Sequence, residues 1–95
     1  NNITDITPLE NLTNLLYLDL INNNITKISS LQGLTNLQDL YLSNNNITDI
    51  TPLENLTNLL YLNLDNNPIS NQNDLDGNKT IVSLISNNES LEVIP

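Results

Sequence analysis

The side chains that could do chemistry in this sequence are few, and most of them are carboxylates. The 95 residues include 11 Asp and Glu but no His, no Cys and only two Lys. Mechanisms that need a His base, a Cys nucleophile or a thiolate metal site are therefore excluded. The groups that remain are paired carboxylates, three Tyr hydroxyls and an unusual number of Asn amides.

Asp19 and Asp39 are the two carboxylates whose placement invites comparison with a catalytic pair. The pattern described below puts them on neighbouring strands, about 5 Å apart in the backbone. Glycosidases use paired carboxylates, but in a cleft where burial separates the two pKa values. An open sheet face provides little desolvation. We therefore predict that the protein is not an enzyme.

The segment 74–78, Asp-Leu-Asp-Gly-Asn, is similar to part of a calcium-binding loop. The helix-loop-helix template would place Gln72 at its first ligand position and Ser83 at its bidentate position, and neither residue fits. The internal repeat explains the segment instead. We predict no metal and no cofactor.

Composition narrows the functional classes further. A formal net charge of −9 with two Lys and no Arg leaves no positive surface for phosphates, so we predict no nucleic-acid partner. No apolar run approaches the ~20 residues of a membrane span, and we predict no membrane insertion. Leu, Ile and Asn make up 52 of the 95 residues, which suggests a repeat.

Self-comparison shows that repeat. Residues 1–20 and 45–64 are identical at 19 of 20 positions, and an intervening copy halves the offset to 22 residues. We predict one domain over 1–95, with a partial repeat at 1–11, full repeats at 12–33, 34–55 and 56–77, and a degenerate copy at 78–95. In that last copy, repeat positions are assigned to Ile81, Leu84, Leu91 and Ile94.

Each repeat carries a short strand and a short turn. Leu18-Asp19-Leu20 alternates with period 2, and copies stacked at a fixed period give a parallel sheet over a shared Leu and Ile core. An Asn column at the strand exit is predicted to satisfy backbone groups with buried amides, at positions Asn23, Asn45 and Asn67.

The second half of each repeat predicts a 3₁₀ turn on the other side of the solenoid, since only about one helical turn fits. The segments 7–10 and 51–54, Thr-Pro-Leu-Glu, fit a capping box with Pro at the first helical position. Residue types that tolerate the left-handed conformation follow at Asn11, Gly33, Asn55 and Gly77.

The residues between the core leucines are predicted to point to the concave side of the sheet. Their columns read Tyr17/Asp39/Tyr61/Ser83, Asp19/Tyr41/Asn63/Ile85 and Ile21/Ser43/Asp65/Asn87. All three tyrosines of the protein share this face with several aspartates. Tyr gives large amphipathic contact area, and Asp favours Lys or Arg on a partner.

These columns predict a partner-binding surface composed of Tyr17, Asp19, Asp39, Tyr41, Tyr61, Asn63 and Asp65. An alternative interpretation is that Tyr is simply a good strand residue that stacks on its neighbours for stability. The binding interpretation predicts that Tyr41→Ala weakens partner binding by more than about fivefold with little change in thermal stability.

The pattern LxxLxLxxNxIxxI resembles the leucine-rich repeat over essentially the whole chain. The 22-residue length and the phrases NNITDITPLENLTNL and SNNNITDITPLENLTNL are most similar to the internalins, which are bacterial surface proteins. The resemblance implies an α/β solenoid with short parallel strands on the concave face and 3₁₀ turns or loops on the convex face. It also implies a non-enzymatic protein-binding surface, directed in internalins at host-cell receptors.

The resemblance implies an extracellular or cell-surface location, with a basic patch on a host-cell surface protein as the favoured partner. Two alternatives stay open: a cytoplasmic scaffold like the leucine-rich regulators of protein phosphatase 1, and a structural or designed solenoid without a partner. The sequence opens in the middle of a repeat. We therefore expect a fragment of a longer array or an engineered protein, whose uncapped N-terminal edge could self-associate.

Overall fold

A computed structural model describes residues 2–69, 79–88 and 90–94. Four three-residue strands form one parallel sheet in chain order: β1 (Tyr17–Asp19), β2 (Asp39–Tyr41), β3 (Tyr61–Asn63) and β4 (Glu92–Ile94). The predicted parallel solenoid is thereby confirmed. The segment 74–78, the Gln72 position and the Gly77 turn lie outside the described residues.

The core is the leucine and isoleucine column of the repeat. In the central repeat the four leucines at the strand, Leu34, Leu37, Leu40 and Leu42, have 0% exposed side chains. Ile47 and Ile50 complete the same layer from the opposite side, at 0% and 2%. Because each strand is only three residues long, burial comes from stacking neighbouring copies rather than from any single element.

Three 3₁₀ turns, Thr7–Leu9, Ser29–Leu31 and Thr51–Leu53, lie on the other side of the core, as predicted. The predicted capping box is wrong. Ile6 precedes the first turn with no side-chain cap. Instead the Asp5 carboxylate accepts hydrogen bonds from both the backbone N–H (2.9 Å) and the hydroxyl (2.6 Å) of Thr7. Asp49 does the same for Thr51, so Thr is held by an Asp two residues earlier.

The predicted left-handed positions are also wrong within the described residues. Gly33 does not have a positive φ, and neither Asn11 nor Asn55 is among the positive-φ residues. The left-handed residues are the first asparagines after each strand, Asn22, Asn44 and Asn66, at φ 63°, 60° and 58°. Asn is the non-glycine residue best suited to this conformation, because its short amide can bond locally.

The next column of asparagines holds consecutive repeats together, as predicted. The Asn45 amide nitrogen donates to the Leu20 and Leu42 carbonyls, both at 2.9 Å. Its oxygen accepts the backbone N–H of Ile25 at 3.1 Å. Asn45 is only 5% exposed, so each of these bonds satisfies a backbone group that water could not reach easily.

The chain after residue 78 departs from the repeat, and the predicted fourth row of outward-facing residues is wrong. Lys79–Asn87 forms a helix, α1, which buries Ile81 and Leu84 three residues apart against the core. Ser83 and Ile85 therefore lie on α1 and not on a strand. One repeat after β3 would begin a strand at position 83, but the fourth strand begins nine residues later, at Glu92. Its Val93 packs on the core.

Candidate functional site

The register of the sheet fixes which concave-face residues are neighbours. Across β1 and β2, Tyr17 pairs with Asp39 and Asp19 pairs with Tyr41. Across β2 and β3, Asp39 pairs with Tyr61 and Tyr41 with Asn63. Six of the seven residues predicted as a binding surface therefore occupy adjacent positions on one sheet face.

The three tyrosine rings form one continuous strip across β1, β2 and β3. The Tyr17 and Tyr41 ring centroids lie 5.3 Å apart, and those of Tyr41 and Tyr61 lie 5.1 Å apart. The rings are tilted by 49° and 45°, within the range of favourable aromatic contacts. Tyr17 is 55% exposed, so the strip is open to a partner at the β1 side.

The polar side chains around this strip differ in whether they already accept a hydrogen bond within the protein. Asp19 accepts the backbone N–H of Ile21 at 3.1 Å, and Asn63 accepts that of Asp65 at 3.0 Å. Both side chains shape the turn after their own strand. No donor to the Asp39 carboxylate is found among the residues that the structure describes. Of the two strand aspartates, Asp19 and Asp39, it is therefore Asp39 that is left to accept a hydrogen bond from a partner.

The side chains packed around Tyr41 raise the pKa of its hydroxyl. Partial desolvation by the neighbouring side chains is the largest cause, followed by the negative charge of Asp39 and then by Tyr17, Tyr61 and Asp19. Each of these makes a negative phenolate less favourable. The Tyr41 hydroxyl thus stays protonated at neutral pH and is available as a hydrogen-bond donor.

Asp65 lies beyond the end of β3, in the turn that follows it, and is exposed. Its backbone carbonyl accepts the N–H of Asn44 at 2.9 Å. The backbone hydrogen bonds between neighbouring repeats therefore continue beyond the ends of the strands. On the fourth strand the residues beside Tyr61 and Asn63 are Glu92 and Ile94. These replace Ser83 and Ile85, and Glu92 adds another carboxylate to the acidic border.

Leu16 and Leu60 lie directly before the strands that carry this surface, and they were not predicted. They are 54% and 46% exposed, immediately before the tyrosines that open β1 and β3. The sequence contained a signal for them. In the LxxLxL pattern the position directly after the first Leu is free to vary, and the central repeat has Gln38 there. A Leu at a position that the core does not require indicates an exposed apolar contact.

The 3₁₀ side of the solenoid offers less for binding. Shallow depressions there are lined by hydroxyls and by Lys27, between the repeats that contain Asp5 and Asp49. The Thr51 hydroxyl and N–H lower the pKa of Asp49, and those of Thr7 lower that of Asp5. Both carboxylates are therefore engaged in holding their own turns.

Within the described part of the chain, no group of three or more His, Cys, Asp or Glu side chains could hold a metal ion. No helix there is both long and apolar enough to cross a bilayer.

Two families of repeat proteins match this chain. Residues 1–47 match the family described as leucine rich repeat, and residues 35–94 match the family described as leucine rich repeats (2 copies). No curated protein sequence matched closely enough to count as a relative.

Several solved structures share the fold. An internalin (InlF) from Listeria monocytogenes has a TM-score of 0.78 and 36% identity, covering 99% of this chain and 32% of its own. An internalin C2 from the same species has a TM-score of 0.74 and 45% identity, covering 97% and 36%. A leucine-rich repeat protein from Leptospira interrogans has a TM-score of 0.72 and 32% identity, covering 98% and 23%. The chain thus spans about a third or less of the length of these proteins.

Proposed function

Because the chain belongs to the leucine-rich repeat family and is internalin-like, we propose that it is a non-enzymatic module that binds a protein partner through its concave face. The observation that carries this proposal is the tyrosine strip, with ring centroids 5.3 and 5.1 Å apart on an open sheet face. Exposed Leu16 and Leu60 extend the apolar area beside it. Aromatic and aliphatic side chains grouped in this way are typical of the energetically important centre of an interface.

The charge of the surface favours a basic partner. Asp19 and Asp39 pair with tyrosines, Asp65 follows β3, and Glu92 pairs with Tyr61 on the next strand. With a net charge of −9, the whole chain adds a negative field that speeds the approach of a positive surface and repels acidic ones. The favoured partner is a host-cell surface protein with Lys or Arg exposed, contacted at the bacterial surface or outside the cell.

A capture experiment on separated host-surface and cytosolic protein fractions tests this proposal. The wild-type chain is compared with a variant in which Tyr17, Tyr41 and Tyr61 are all replaced by Ser. We expect saturable binding of a specific protein from the surface fraction, and loss of that binding in the variant. The measurement is a titration of the captured protein after purification.

The matched control replaces three exposed threonines outside the strands, Thr13, Thr35 and Thr57, by Ser. This variant carries as many substitutions to Ser and leaves the concave face intact, so it should bind like the wild type. Capture from the cytosolic fraction alone would favour an intracellular scaffold. Equal binding by the tyrosine variant would overturn the proposed surface, and no partner in either fraction would favour a structural solenoid.

A second part of the proposal concerns the N-terminal edge. Leu12 is 46% exposed, whereas the equivalent Leu34 and Leu56 of the following repeats are 0% exposed. Ile3 and Ile25 differ in the same way, at 43% and 0%. We propose that this apolar edge makes the isolated 95-residue chain self-associate, which adds to binding at the concave face and does not replace it.

A further inference from the structure

The three tyrosines are also the side chains of this protein that an oxidant would modify first. The sequence contains no Cys and no Met, the residues that oxidants modify most readily, and it contains no Trp or His. Every tyrosine lies on the open concave face, with Tyr17 55% exposed and both Tyr41 and Tyr61 partly exposed. An oxidant that reaches this protein therefore acts mainly on one strip of three phenol rings.

These rings are close enough in pairs to react with each other. The Tyr41 centroid lies 5.3 Å from that of Tyr17 and 5.1 Å from that of Tyr61, so both pairs are in contact. The rings are tilted by 49° and 45° and are not stacked face to face, so a small side-chain rotation brings their edges together. Tyr17 and Tyr61 lie two strands apart, at about 10 Å, with the Tyr41 ring between them. Of the three possible pairs, the two in contact both contain Tyr41.

We propose that a one-electron oxidant, such as a peroxidase acting with hydrogen peroxide, joins Tyr41 to Tyr17 or to Tyr61 through a dityrosine bond. Each of the two phenols first loses one electron and one proton. The two radicals then form a bond between the ring carbons next to their oxygens. The hydrogen on each of these carbons leaves as a proton, and each oxygen regains one. The product has two hydrogen atoms fewer than the two tyrosines, and the peroxide takes up those two electrons and two protons to give two water molecules.

The bond would change the surface that we propose to bind a partner. A link from Tyr41 to Tyr17 joins β1 to β2, and a link from Tyr41 to Tyr61 joins β2 to β3. In either product, two rings of the strip can no longer rotate independently to fit against another protein. Oxidation thus acts on the proposed binding surface. The coupling itself needs no partner, so it does not rest on the proposed function.

Three variants that each keep two tyrosines test the proposal, and replacement by Phe retains the ring. Tyr61→Phe and Tyr17→Phe each leave one pair in contact, whereas Tyr41→Phe leaves only the separated pair. Each chain is diluted and treated with a haem peroxidase and hydrogen peroxide. The product within single chains is measured by dityrosine fluorescence of the monomer band on a denaturing gel and by the loss of two hydrogen atoms in its mass. We expect at least about tenfold less of it from Tyr41→Phe than from either other variant, because its rings are not held together.

The same reaction in concentrated urea is the control for the fold. In the unfolded chain the three pairs differ only in their separation along the sequence, so their yields should agree within about threefold. A low yield from Tyr41→Phe that persists in urea would overturn the proposal, because the difference would then not come from the folded strip. Equal yields from the three folded variants would also overturn it, as would a wild-type chain that couples only to second copies.

Discussion

The ring of Tyr41 lies 5.1 Å from that of Tyr61, although the sheet register places the two residues diagonally and not directly opposite each other. Tyr41 reaches Tyr17 in the same way on the other side, at 5.3 Å. Diagonal contacts of this kind are within reach of aromatic side chains. Because the short Asp39 leaves a gap between Tyr17 and Tyr61, the central ring fills it and links all three strands.

Replacing Tyr41 should therefore affect both binding and stability. We expect Tyr41→Ala to weaken partner binding by more than about fivefold, because it removes the centre of the strip. The two ring contacts imply that it also lowers Tm by about 4 °C or more, a larger stability effect than the sequence suggests. Titration and thermal unfolding measure the two effects.

Tyr17→Ala provides the comparison, since Tyr17 contacts only one ring of the strip and is more exposed. It should cost less stability than Tyr41→Ala. If the Tyr41 variant loses stability while its folded form binds with undiminished affinity, the tyrosines serve the sheet and not a partner.

Removing the Asn45 amide should be among the most damaging single substitutions. Asn45→Ala leaves the buried N–H of Ile25 without its partner and takes a bond from each of the Leu20 and Leu42 carbonyls. An unsatisfied buried group costs about 1–3 kcal/mol, so we expect a loss of about 3 kcal/mol or more in the free energy of unfolding. Urea denaturation followed by circular dichroism measures it.

Two neighbouring substitutions calibrate that result. Asn23→Ala should cost less. The Asn23 oxygen accepts the Ile3 N–H at 3.2 Å, but its nitrogen donates to carbonyls of its own repeat and not to one of the repeat before it. Asn46→Ala, at an exposed side chain, should stay within about 0.5 kcal/mol of the wild type. Equal losses at Asn45 and Asn46 would show that the amide ladder does not hold the repeats together.

How far the sequence predicted this structure depends on whether a feature recurs with the repeat. The parallel strands, the core leucines and the Asn45 bonds follow from positions that return every 22 residues. The pairing of Asp19 with Tyr41 also followed, because register in such a stack equals the repeat offset. The ring contacts of Tyr41 did not, because side-chain rotamers are set by packing that periodicity does not describe.

The errors lie where two local mechanisms compete. Thr7 and Asp5 can both cap the start of the turn. The capping-box pattern predicted Thr7 as the cap. In the structure the Asp5 carboxylate accepts both the N–H and the hydroxyl of Thr7. Helix α1 was missed because Ile81 and Leu84 suit a strand in the repeat register and equally suit one helical face. Two apolar residues three positions apart do not distinguish a strand of the repeat from a helix.

The left-handed asparagines allow conformation to be separated from hydrogen bonding. Asn44 has a φ of 60°, its amide donates to Asn22 at 2.7 Å, and it accepts from Asn66 at 2.6 Å. Asn44→Ala should lower the free energy of unfolding by about 1–2 kcal/mol, because Ala combines the strain of a positive φ with the loss of both bonds. Chemical denaturation measures the loss.

Asn44→Gly loses the same two bonds but relieves the strain, so it should be more stable than Asn44→Ala by about 1 kcal/mol. A smaller loss in Ala than in Gly would contradict the assignment of strain to this position.

The Asp49–Thr51 contact predicts a pH-dependent contribution to stability. The Thr51 hydroxyl and N–H lower the pKa of Asp49 from its ordinary value of 3.8. A lowered folded-state pKa gives stability that is present above 3.8 and is lost as the pH falls through the folded value. Thr51→Val removes the hydroxyl, so the pKa of Asp49 should rise towards 3.8.

Carboxyl chemical shifts titrated by NMR measure that rise directly. The variant should have a lower Tm than the wild type at pH 7, and the difference should shrink under acidic conditions, where Asp49 is protonated in both. Thr35→Val, at an exposed threonine that no carboxylate of the described residues contacts, should leave the pKa of Asp49 unchanged. A Tm difference that persists undiminished at low pH would mean that the hydroxyl acts by packing.

Leu12 provides the test of the apolar N-terminal edge. Its side chain is 46% exposed, and burying it and its neighbours against a second copy would remove apolar surface from water. We expect the 95-residue chain to form dimers or larger species as its concentration rises, and Leu12→Lys to shift it towards the monomer. Val82→Lys, on α1 at 48% exposure, likewise replaces an exposed aliphatic residue by Lys and should not affect association. Sedimentation velocity over a hundredfold concentration range distinguishes these cases. A wild-type chain that stays monomeric over the whole range would show that this edge does not drive association. A Val82 variant that dissociates as readily as the Leu12 variant would show the same.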